Sequence, residues 1–318
     1  MKKISLPFTL DVEMKMYHNK SFPLGIIKAN IKDYDSWLCN KLINCICHPN
    51  YSFDCIEEDI WSMGDGLTFF QGMRLPPETF SVNGFNLIEF NKSMLSKGFY
   101  ITGTYNEFYI PQKMSYKKVD FNHDYVLFGY DDEKKVFKSA AYLDNEIYSY
   151  FEIGYENYYY GVTKNIAVKS SLYFYHVDKN YLSKIDICSI KNKLHSYLYS
   201  NQDDHGNFYG IAAWDKLSEY VLENDELDPR YSRAYMEHRL CMLKRIYKLQ
   251  ESSYIYDEVL GKEYLNEVYT KSQCIHNMFL KYKLTRNKNL LLRMSNLIKE
   301  INKRDFILIE KMLKSIKE

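Results

Sequence analysis

A cysteine and a histidine, far apart in the chain, are the side chains here best suited to covalent chemistry. Cys39 follows Asp33, Asp35 and Ser36 and precedes Leu42, Ile43 and Ile46. Asp and Ser are helix-capping types, and the apolar residues recur at helical spacing. The pattern predicts a helix over residues 39–47 with Cys39 in its first turn. A thiol there lies in the positive end of the helix macrodipole, which favours the nucleophilic thiolate. Cys45 and Cys47 fall late in the same predicted helix, where the dipole opposes ionisation. Downstream, His123 opens the strand-like run 125–130. An imidazole held at a strand start can take the thiol's proton and return it. The pair suits acyl transfer through an acyl-enzyme on Cys39. The plainer alternative for Cys39 is a buried core cysteine.

Other residues suggest less. Seven cysteines at irregular spacing predict free thiols, not a disulfide framework. Cys45, Cys47, His48 and Cys55 match none of the usual zinc spacings, so no metal is expected. Gly64-Asp65-Gly66 is too short for a phosphate loop and reads as a tight turn, so no nucleotide is expected. Trp61, Phe69 and Phe70 could form a dry, substrate-binding wall that keeps water from an acyl-enzyme. The 31 tyrosines fit either genome composition or an aromatic cleft.

The elements that must position these groups change character near residue 180. Before it, strand-like runs at 99–102, 125–130, 136–140, 147–153 and 166–176 alternate with Gly, Pro and aromatic residues. Asp131-Asp132-Glu133-Lys134 reads as the turn of a hairpin over 124–141. Helices are predicted over 55–63 and 86–96, closed by Gly64 and Gly98. Beyond 180, apolar spacings of three and four predict helices over 187–199, 213–222, 232–249, 254–282 and 287–316. The expectation is an α+β domain over 1–180 and a helical domain over 181–318.

With 318 residues, 46% hydrophobic and 26% charged, the composition is that of an ordinary globular protein. No apolar run is long enough to cross a bilayer, and the N-terminus lacks the apolar stretch of a secretory signal. No membrane partner and a cytoplasmic location are therefore expected. Residues 281–318 carry eleven Lys/Arg and four Asp/Glu, a net of +7 that leaves −6 for the rest. That excess reads as a solvated helix face or as a docking surface for an acidic partner. No accompanying motif points to nucleic acid.

The stretch 39–44, the segment Glu57-Glu58-Asp59-Ile60-Trp61-Ser62-Met63-Gly64-Asp65-Gly66-Leu67-Thr68-Phe69, and His123 with Gly129-Tyr130-Asp131-Asp132-Glu133 together resemble the butirosin acyltransferase N-terminal-domain family. The likeness spans roughly residues 25–170. The tail, with Tyr209-Gly210-Ile211 and Glu237-His238-Arg239, resembles tails fused to this domain in peptide-antibiotic clusters, including cysteine-protease-like amide synthetases. The resemblance implies a papain-like cysteine protease fold with an added helical domain. It also implies an ATP-independent amide synthetase for nonribosomal-peptide-type antibiotics. Its acyl donor would be a thioester on the phosphopantetheine of an acyl or peptidyl carrier protein, with no further cofactor. Its acceptor would be a small amine, such as a diamine. By the resemblance Cys39 is the nucleophile and His123 the base. The family's orienting Asp falls at Ala141, which leaves Asp144 or Asn145 to orient the imidazole. No Gln stands six residues before Cys39 as an oxyanion donor; Asp33 is there. Two rival readings use the same residues: a cysteine peptidase or amidase, and a non-catalytic binding or immunity protein on a degenerate protease fold.

Overall fold

A computed structural model of the chain describes residues 2–55, 70–82, 84–143, 147–164 and 171–317. In chain order the strands are β1 (Lys3–Ser5), β2 (Ile46–Cys47), β3 (Phe53–Asp54), β4 (Phe70–Leu75), β5 (Tyr100–Asn106), β6 (Asn122–Asp131), β7 (Val136–Tyr142), β8 (Tyr148–Gly154), β9 (Leu172–Val177) and β10 (Phe208–Tyr209). The helices are α1 (His18–Asn30), α2 (Tyr34–Cys39), α3 (Leu87–Ser96), α4 (Tyr155–Thr163), α5 (Ile187–Tyr199), α6 (Gly210–Glu223), α7 (Pro229–Glu251), α8 (Leu260–Tyr264), α9 (Thr270–Thr285) and α10 (Asn289–Ser315). A π-helical turn over Leu265–Tyr269 joins α8 to α9. Helices and an antiparallel sheet make this an α+β protein, with the C-terminal part helical.

The chain forms two units, one of Met1–Lys32 with Ile60–Tyr181, the other of Asp33–Asp59 with Leu182–Glu318. Residues 33–59 were expected in the domain 1–180 but belong to the helical unit. The reason is local: β2 pairs with β3 on one side and with β10 on the other, and α2 packs on α7.

In the first unit the strand order is β4-β9-β5-β6-β7-β8, with β1 pairing β6, all antiparallel among the described residues. The expected hairpin is β6–β7. Its turn is fixed by Asp131, whose carboxylate accepts from the Glu133 and Lys134 amides at 3.1 and 3.3 Å. Gly129 follows a register shift in β6, and a Cβ there would stand 2.4 Å from the Ile4 carbonyl oxygen. Only glycine lets β1 approach so closely. Leu95, Ile101, Leu127, Phe137 and Phe174 form the core with several tyrosines, each large side chain contributing roughly 1.5–3 kcal/mol by burial. Tyr105 stacks on Tyr125 at 4.9 Å, and the Tyr125 and Tyr158 hydroxyls bond at 2.8 Å. These tyrosines build core rather than a cleft.

In the second unit α10 packs on α6, α9 and α5, and α7 packs on α9. Its centre holds an ion pair with neither partner exposed, Arg239 Nη2 to Asp305 Oδ2 at 3.2 Å. Tyr197 and Tyr264 donate to the same carboxylate at 2.6 and 2.8 Å. Asn302 accepts from Arg239 and from Tyr235.

Candidate acid-base site

Cys39 is the last residue of α2, not the first of a helix over 39–47. Asp33 caps α2, its carboxylate accepting from the Ser36 amide at 3.1 Å, so the helix starts at Tyr34. It cannot run on: Leu42 adopts a left-handed backbone, φ 58°, and Ile46–Cys47 is drawn into the small sheet. The thiol therefore lies at the negative end of the dipole. Arg245 donates from Nε to the Cys39 carbonyl at 2.8 Å and from Nη2 to the Lys41 carbonyl, satisfying acceptors that the helix end leaves open. Cys39 is 1% exposed. Burial pushes its thiol up to about 11, with the Arg245 guanidinium opposing only in part. The position expected of Cys39 is instead held by Cys188, exposed in the first turn of α5.

His123 is the second residue of β6, with half of its imidazole in use. Nδ1 lies 2.8 Å from Glu107 Oε1. An ionised carboxylate only accepts, so this contact calls for a proton on Nδ1, although the Lys113 ammonium also lies 3.4 Å from the same nitrogen. Nε2 has no partner among the described residues, and the side chain is 28% exposed. The geometry is that of a general base held in one tautomer by a carboxylate.

Glu107 is delivered by the strand pairing. Tyr105 stands opposite His123 and Asn106 opposite Asn122, so a residue just past β5 can reach the ring. Asn106, 1% exposed, ties the two ends of the 107–121 connection. Its Oδ1 accepts from the Phe108 and Phe121 amides and its Nδ2 donates to Asp120 at 2.6 Å. Lys113, also buried, donates to Glu107 Oε1 at 3.0 Å and to the Tyr142 carbonyl. Burial works to raise the Glu107 carboxyl, but the hydrogen bond from His123 and the Lys113 charge outweigh it and hold the group below its usual range.

A second imidazole stands beside the first. His18, at the start of α1, bonds through Nε2 to Asp124 Oδ2, and its ring lies 6.3 Å from that of His123 at 86°. Thr104 donates to the other Asp124 oxygen at 2.7 Å. Burial raises the Asp124 carboxyl, and the bond and charge of His18 more than reverse that.

The sequence reading did not single out Glu107, Lys113, His18 or Asp124. The one available signal was Glu107, just beyond the strand that pairs with the one opened by His123. Asp144, the proposed orienting residue, lies outside the described residues, as do Asn145, Trp61, Phe69 and the 64–66 glycine segment. The orienting contact at Nδ1 is made by Glu107. Phe70 is described, and it stacks on Tyr175 at 5.1 Å as core packing. All seven cysteines belong to the helical unit, so Cys39 and His123 come from different units. Among the described residues no three metal-ligating side chains cluster, and no helix is long and apolar enough to cross a membrane.

Much of the basic tail is internally paired: Arg286 with Glu226, Arg304 with Glu267, Lys311 with Asp257 and Glu263, and Lys314 with Glu310. The charge excess of residues 281–318 is in that measure spent within its own unit. No model of a known protein family matches the chain, and no curated protein matches it.

Proposed function

We propose that the sheet unit carries the general acid-base centre of an acyltransferase, with His123 as base and Glu107 as its orienting partner. The single observation that carries this is the 2.8 Å bond from His123 Nδ1 to Glu107, with Nε2 open on a half-buried ring. The substrate pair rests on the family resemblance: an acyl thioester on a carrier protein and a small amine, in peptide-antibiotic assembly.

The step balances without nucleotide. The amine nitrogen attacks the thioester carbonyl, forming the C–N bond, and His123 Nε2 takes the amine proton. The C–S bond then breaks, and the leaving thiolate receives that proton from Nε2. Glu107, kept ionised by Lys113, stabilises the transient imidazolium. Thioester to amide runs downhill, so the donor supplies the driving force.

The surroundings of Cys39 lend no support to an acyl-enzyme, and this reading does without one. From the papain-like expectation this reading takes only a histidine near the start of a sheet strand as the base. In this reading Glu107, not a residue at position 141, orients the imidazole through Nδ1.

The test is release of free thiol from a panel of acyl thioesters, with and without a diamine. Amine-dependent release in the wild type, lost in His123→Gln, supports the proposal. Release that His123→Gln leaves intact removes it.

A further inference from the structure

At the far end of β6 the first unit contains a cavity of about 550 Å³. β1 pairs there with Gly129–Asp131, six to eight residues from His123, or roughly 20–27 Å along the strand. The cavity is thus separate from the acid-base site. Three lysines from three elements line it: Lys3 on β1, Lys97 at the end of α3, and Lys179 beyond β9. His176 of β9 adds an imidazole, and no acidic side chain is among the described lining residues.

These cations differ in their commitments. Lys3 is paired with Asp131 at 3.1 Å. Lys97 and Lys179 have no carboxylate partner among the described residues, and no ring nitrogen of His176 has a hydrogen-bond partner there. The imidazole is nevertheless held in place. Its ring packs on Phe99 at 5.3 Å, and Gly98, φ +90°, passes over it closely enough that a Cβ would lie 3.7 Å away. Leu95, Tyr100 and Val177, all buried, provide the floor.

Opposing charge must be counted. α1 and α3 both end at this cavity, at Asn30 and Ser96, and each helix C-terminus contributes about half a negative charge. Their sum, about one charge, is less than that of the two uncommitted ammonium groups. A positive excess remains in a concave site that also offers apolar wall. We propose that this cavity binds the phosphate group of a small phosphate monoester, with Lys97 and Lys179 on the anion and the organic body against the Tyr100–Val177 floor.

The alternative is that the lysines only complement two helix ends. Calorimetric titration of the full chain with phenyl phosphate and with inorganic phosphate, at fixed ionic strength, separates the two. Phenyl phosphate should bind, and Lys97→Ala/Lys179→Ala should weaken it by about tenfold or more, while Lys164→Ala should not. Lys179→Glu, in an exposed turn outside any helix or strand, gives the same reading without touching a helix end. Tighter binding of phenyl phosphate than of phosphate identifies an organic ester; equal binding identifies free phosphate and overturns the ester assignment. No binding by the wild type, or unchanged binding in Lys179→Glu and the double variant, overturns the site altogether. None of these outcomes depends on the acyltransferase proposal.

Discussion

His123 in the sheet unit and His238 in the helical unit each sit beside a cation and a hydrogen-bond acceptor, yet only one is suited to chemistry. His123 spends one nitrogen on Glu107, keeps the other open, and is reachable from solvent. His238 is 0% exposed, its Nε2 bonds the Ile43 carbonyl at 2.9 Å, and Arg239 lies 3.5 Å from its Nδ1. Burial, with the Arg239 charge adding to it, drives its pKa well below the ordinary value, so it stays neutral. The thiols divide in the same way: Cys39 is sealed and Cys188 exposed. Residue type alone does not make a reactive group; an open valence and access to it do.

The largest effect that would sharpen this contrast is on stability. Arg239→Ala leaves Asp305 charged and buried with no cation and should cost about 3–5 kcal/mol in urea unfolding. His123→Ala, at a partly exposed side chain, should cost within about 1 kcal/mol. Equal losses would erase the distinction between a structural and a working network.

Next in size is Glu107→Gln, which should slow amine-dependent thiol release on the order of 10²-fold with the fold intact. The same variant bears on acid stability. The Glu107 carboxyl sits below its ordinary value in the folded state, so the native protein binds fewer protons than the unfolded chain. Its contribution is present above the unfolded carboxylate pKa, about 4.3, and is lost as pH falls through the folded value. The wild type should therefore lose stability more steeply than Glu107→Gln as pH drops below about 4.3. Parallel curves would contradict the ion-pair role.

The smallest effect concerns the thiols. Brief iodoacetamide treatment of the native protein should alkylate Cys188 and Cys274 and spare the five buried cysteines until urea is added. Early modification of Cys39, read by peptide mass, would count against its being sealed and in favour of its role as nucleophile.

Strong local signals made much of the fold legible in sequence. The 187–199 helix is α5, with Asp186 as its cap, and the 86–96 helix is α3, capped by Asn86. The hairpin over 124–141 is β6–β7 because alternation and an Asx turn agree there. The error at Cys39 came from Leu42, Ile43 and Ile46, whose helical spacing is broken by the left-handed Leu42, while pairing of Ile46–Cys47 with Phe53 and Tyr209, the latter distant in sequence, decides for a short strand. Strand pairing likewise hid the site. Glu107 becomes a partner of His123 only once β5 lies against β6, and His18 comes from a helix more than a hundred residues away.

The most direct measurement is intact mass during turnover, comparing wild type, Cys39→Ala and His123→Gln with an acyl thioester and a diamine. Direct transfer at His123 predicts no acyl adduct on the wild type, full amide formation by Cys39→Ala, and a loss of about 10²-fold in His123→Gln. An adduct mapped to Cys39, absent together with amide formation in a folded Cys39→Ala, would contradict it.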